Sequence, residues 1–353
     1  MSDNPKIIFS KRLEQARKMR GLSLRALAEQ MQGTVTAAAL HKYETAQMLP
    51  GSAALIAIAS ALRQSVDYFF RPPTVELEKI EFRKRSKLTV KQKVEVQEQA
   101  RDFFERYLEV ERLLGMDTEF ANPLAGITIR KPEDIEPAAN KLREEWKLGL
   151  SPLPNVLELL EDHQIKVFEL AAPESFDGLS GLAGKIPVVV VNKRVPSDRK
   201  RLTALHELGH LLLKFADGFT AIEIEKLCHR FAGALLMPKE VFIEEFGGKR
   251  DKITVNELCD LKKHYGISIA AIMARAKNLG LVTDVFYVRF NIMLNAKHWR
   301  QVEPVQFTGT EQSGRFDQLL YRAAANDVIS LSKAASLAGM PLPKFRESLQ
   351  FVS

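Results

Sequence analysis

The run DRKRLTALHELGHLLL, residues 198–213, sets two histidines and a glutamate in the middle of an apolar stretch. Burying such side chains costs free energy unless each finds a partner. His206 and His210 stand at i and i+4, one above the other on a single helix face. That spacing lets two imidazoles converge on one ion about 2.0–2.1 Å from each nitrogen. Glu207 lies beside the first histidine, close enough to serve a water on the ion without binding the ion itself. H-E-x-x-H on a helix is the arrangement that zinc hydrolases use, although a structural histidine pair would read the same way.

A hydrolytic zinc needs a third protein ligand and an open fourth position. The next helix, AIEIEKLCHRFAGALLMP (221–238), offers Glu223, Glu225, Cys228 and His229, and Glu225 and His229 share a face at i and i+4. Upstream, EDIEPAANKLREEWKLG reads as helix, and PLPNVLELLEDHQIKVFEL as helix then strand. GLSGLAGKIPVVVVN reads as a hairpin whose second strand, Val188–Asn192, is a candidate edge strand able to hold an extended substrate. Helix, small sheet and helix together indicate an α+β domain.

The chain has 353 residues, too many for one ordinary core, so two or three domains are expected. No apolar run is long enough for a membrane span, and the N-terminus lacks a signal-peptide core. Two cysteines, Cys228 and Cys259, imply a reducing, cytoplasmic setting without a disulfide frame. Residues 1–115 hold 20 Lys/Arg against 14 Asp/Glu, which accounts for six of the seven net positive charges. A basic N-terminal third directs attention to nucleic acid.

That third reads as short helices: FSKRLEQARKMRG, then SLRALAEQM capped by Ser23, VTAAALHKYE capped by Thr36, and LPGSAALIAIASAL. The order fits a helix-turn-helix. Residues 21–70 resemble the phage-repressor (XRE/Cro) type of DNA-binding domain, on Leu27-Ala28, Tyr43-Glu44, Pro50 and the closing VDYFF. The resemblance implies a recognition helix near 36–44, operator contacts from Thr36, Ala37, Ala38, His41 and Lys42, and phosphate-side contacts from Ser23 and Arg25. Repressors of this type read two half-sites as dimers. RKRSK (83–87) and the amphipathic helix after it, with Phe103, Phe104 and Tyr107, are expected to form a linker and a dimer surface.

HELGH followed by E-x-x-C-H-x-F-A-G-A-L-L-M-P resembles the ImmA/IrrE family of zinc metallopeptidases over about 122–280. In the family pattern the third ligand is the glutamate that here is Glu225. His229, where the family more often has Asn, then orients a ligand. The implied set is Zn²⁺ on His206, His210 and Glu225, with Glu207 as general base.

The expected architecture is multidomain. An all-α helix-turn-helix domain (1–72) and a basic linker with its helix (73–121) precede an α+β zincin-like domain (122–285). A C-terminal module (286–353) follows, mostly helical apart from a strand at DVFYVRFNI, suited to dimerisation or to a second helix-turn-helix-like role. The expected function is a DNA-binding regulator, a homodimer on double-stranded operator DNA, whose peptidase domain cuts an XRE-type repressor or itself. The alternatives are a regulator or antitoxin that senses or dimerises through a silent peptidase fold, and an enzyme with an idle helical domain.

Overall fold

The computed structural model describes residues 4–72, 77–82, 88–116 and 119–349, with 77–82 described by backbone alone. Two compact units result: one of 1–78, 86–118 and 314–353, the other of 79–85 and 119–313.

The first unit begins with α1 (Pro5–Met19), α2 (Leu24–Gln30), α3 (Ala37–Glu44) and α4 (Ser52–Leu62). Each start has a chemical cause. Asn4 accepts from Lys6 N and Pro5 opens α1; Ser23 Oγ accepts from Ala26 N and Thr36 Oγ1 from Ala39 N, both at 3.1 Å. Phe9, Leu13 and Ala16 form one face of α1 and pack on Leu27, Leu40, Ile58 and Phe69. Arg17 grips Glu44 with two hydrogen bonds of 2.6 and 2.7 Å, which ties α1 to the end of α3.

The long α5 (Val90–Leu113) opens on a Thr89–Gln92 capping box. Buried Arg12 of α1 meets Glu105 of α5 and donates to the carbonyls of Arg71 and Pro72. Phe103 and Tyr107 lie against Phe316, with ring centroids 5.0 and 5.5 Å apart. The apolar side expected to supply a dimer surface is therefore covered by the protein's own helices. The RKRSK cluster, residues 83–87, lies outside the described residues.

In the second unit, β3 (Lys166–Leu170), β4 (Gly178–Ala183), β5 (Ile186–Asn192) and β1 (Leu77–Phe82), the last belonging to this unit from residue 79 on, make a sheet of order β1-β4-β5-β3, while β2 (Thr128–Ile129) and β6 (Lys214–Phe215) make a separate parallel pair. β3 runs parallel to β5 from Lys166↔Val188 to Leu170↔Asn192, and β4 pairs antiparallel with β5 from Gly178↔Val191 to Ala183↔Ile186. Gly184, at φ +63°, makes the tight turn between them. The expected edge strand is thus interior: β3 and β4 take both edges of β5, so it cannot accept a substrate strand. The continuous valine run is the signature of that position, buried on both faces.

Around the sheet stand α6 (Ile135–Glu145), α7 (Val156–Asp162), α8 (Ser197–Leu212), α9 (Ala221–Leu236), α10 (Lys239–Phe246), α11 (Val255–Tyr265), α12 (Ile269–Asn278) and α13 (Asp284–Ala296). The strand expected at DVFYVRFNI is a correction, because that stretch begins α13. Its β-branched and aromatic content suggested a strand, but Thr283 caps the start and Phe290 and Leu294 are buried at i and i+4.

The boundary expected at 285/286 also moves, to residue 313, because the stretch after α13 completes this unit. Glu311 accepts from Val156 N at the start of α7 and pairs with Arg201 of α8 at 2.7 Å, both side chains wholly buried. Glu303 pairs with Lys262 and accepts from Ile269 N at the start of α12. Only then do α14 (Arg315–Ala325), α15 (Leu331–Ala338) and α16 (Leu342–Ser348) return to the first unit and pack on α5 around Leu320, Leu337 and Phe345.

Candidate metal centre

Close packing of α8 on α9 makes the site. A Cβ on Gly209 would stand 3.2–3.3 Å from atoms of Cys228, so the absence of a side chain there sets how near the helices come. α9 starts at a Thr220–Glu223 capping box, which uses Glu223 at the helix start.

From this pairing Glu225 comes to face both histidines. Nε2 of His206 and Nε2 of His210 are 3.1 Å apart, with Glu225 Oε2 3.4 Å from the first and Glu225 Oε1 3.4 Å from the second. The three donor atoms all lie within 4.8 Å of one another, close enough to share a cation. Local electrostatics favour positive charge at their centre. Burial opposes protonation of His210, yet hydrogen bonds to Cys228 and Glu225 push it up to about 11. Hydrogen bonds from His206 and then His210 hold the Glu225 carboxyl well below the usual carboxylate range. Burial pushes the Cys228 thiol up, so it stays protonated beside His210.

Glu207 is buried under the sheet, where Ser180 Oγ of β4 donates to its Oε2 at 2.8 Å. A Cβ on Gly178 would meet Thr203 Cγ2 at 2.7 Å and the Val190 carbonyl oxygen at 2.9 Å, with Glu207 Cγ 3.4 Å away. Ser180 is the residue that sequence reasoning missed. The small residues of GLSG were its only signal. His229 lays its ring against that of His206, centroids 4.0 Å apart and 38° between planes.

Residues 160–277 match the family model of the IrrE N-terminal-like domain, peptidase family M78, and residues 13–69 match that of the helix-turn-helix. The chain joins these two domains. It has the make-up of a regulator with a DNA-binding domain and a peptidase-like one. No curated protein matches it. The IrrE-like match contains all of His206, Glu207, His210 and Glu225, and it ends before α13.

In the helix-turn-helix, Arg25, Ala38, His41 and Lys42 are exposed, and Ala37 is half-buried. Ser23 and Thr36 are exposed while their hydroxyls cap α2 and α3. Leu27, Leu40 and Tyr43 are core. Among the described residues no helix is long and apolar enough to cross a membrane.

Proposed function

We propose that this protein is a DNA-binding transcriptional regulator and a zinc endopeptidase whose substrate is an XRE-type repressor or the chain itself. The observation that carries the reading is the His206–His210–Glu225 triangle. Ligand atoms 2.0–2.1 Å from a tetrahedral ion stand about 3.3 Å apart; the two Nε2 atoms are 3.1 Å apart, and the carboxylate meets them through different oxygens, Oε2 3.4 Å from His206 and Oε1 3.4 Å from His210. When bound, Zn²⁺ supplies Lewis-acid activation of water and of the peptide carbonyl. Ser180 fixes the plane of the Glu207 carboxylate, which takes the proton from the attacking water and returns it to the leaving amine. His229 holds the His206 ring in place as a positioning residue.

Thr36, Ala38, His41 and Lys42 enter the major groove, with Ala37 at the helix start, while Ser23 and Arg25 approach the phosphates. Two copies bind a two-fold operator as a homodimer. The deciding experiment incubates the zinc-loaded chain with XRE-type repressors beside Glu207→Gln. The variant keeps one zinc per chain and cleaves about 10²–10⁴-fold more slowly. Equal cleavage by both proteins removes Glu207 from the reaction. A zinc-loaded wild type that binds operator DNA and cuts neither repressor nor itself replaces the reading with regulation without turnover.

A further inference from the structure

We propose that the cavity of about 580 Å³ between α9, α12 and α13 binds a small organic anion with an apolar body. This goes beyond the hydrolytic reading and does not depend on whether a peptide is cut. The volume lies in the range of sites for small molecules. Its walls are apolar, formed by Leu202, Phe219, Leu227, Ala271 and Ala274.

Its charged groups are mainly cationic. Lys226, Arg230, Arg275 and Arg300 line it, against the single lining carboxylate of Glu223. Glu223 is already engaged by Thr220 in the α9 capping box. Behind the wall, Glu136 serves two arginines at once. It takes both hydrogen bonds from Arg275 at 3.0 Å and leaves Arg230 at 3.7 Å, beyond hydrogen-bond reach. The Nε–H groups of Arg230 and Arg275 are buried and have no acceptor among the described residues. A carboxylate or sulfonate in the cavity meets the cationic side chains that line it, Lys226, Arg230, Arg275 and Arg300, and hydrogen bonds between charged partners are about twice as strong as those between neutral ones. Arg300 spends its donors on the neutral side chains of Asn295 and Asn291, so its charge is not cancelled.

The ligand is thus selected twice, by apolar walls for its body and by Arg230 for its charge. Because His229 also lines the cavity and lies on His206, the bound anion sits beside the metal centre.

Two dyes that differ in one group test this on the full chain: 8-anilinonaphthalene-1-sulfonate and its neutral parent, N-phenyl-1-naphthylamine. The sulfonate is expected to bind saturably and about tenfold or more tighter than the parent. Arg230→Gln, which leaves the Arg275–Glu136 pair in place, removes most of that difference. Ala274→Trp fills the cavity and weakens both dyes by about tenfold. Thermal melting identifies any variant that fails to fold, in which case the other variant decides. Equal affinity for the two dyes, no saturable binding, or sulfonate binding unchanged in the folded variants overturns the proposal.

Discussion

His206 and Glu207 are wholly enclosed, whereas Thr36, His41 and Lys42 stand in open solvent. The buried centre is held from several directions: Ser180 on a strand, Glu225 on the next helix, Gly209 permitting the approach, and Arg201 anchoring α8 to Glu311. α3, by contrast, is held by a cap, Thr36, by one clamp, Arg17 on Glu44, and by Leu40 and Tyr43 on its inner face. Side chains that must converge on one point within a few tenths of an ångström need such a shell around them. A surface that reads a charged polymer draws most of its affinity from phosphate contacts and tolerates change around it.

Three substitutions sharpen or break that contrast. Glu311→Ala strands a buried Arg201 charge and uncaps α7, and is expected to destabilise the second unit by about 3–5 kcal/mol. Trp146 and Trp299, the only tryptophans of the chain, both pack on that unit's core, so urea unfolding followed by their fluorescence reports it. An unchanged midpoint would show that the anchor is dispensable. Gly178→Ala forces a methyl against Thr203 and the Val190 carbonyl and is expected to cost about 1–3 kcal/mol by the same measurement. It also displaces Glu207, so zinc content holds while any hydrolysis falls; retained hydrolysis would mean that the shell is softer than drawn. Lys42→Ala leaves stability unchanged and weakens DNA binding across sequences, lowering the salt slope of log K by about 1. A sequence-selective loss would instead make Lys42 a reader of bases.

The helix that brings His206 and His210 together was legible in the sequence because i, i+4 spacing fixes direction as well as position, and the helical rhythm of the N-terminal domain was legible from the caps Ser23 and Thr36. Glu225 needed the family pattern, since Glu223, Cys228 and His229 were equal rivals on the same helix. Ser180 was not legible, because its contact depends on strand register against a helix 27 residues away. The interior place of β5 and the helical state of α13 were misread for a related reason. A run of β-branched residues states a preference, and its partners decide the outcome. Both partners of β5 and the burial of Phe290 and Leu294 are long-range facts.

Glu303 and Glu311 cap α12 and α7 from beyond the end of the IrrE-like match at residue 277. A fragment trimmed to that match would carry His206, Glu207, His210 and Glu225 and still lack the two carboxylates that brace the helices around them. Recombinant work on the isolated peptidase-like half should therefore extend to residue 313, where the compact unit itself ends.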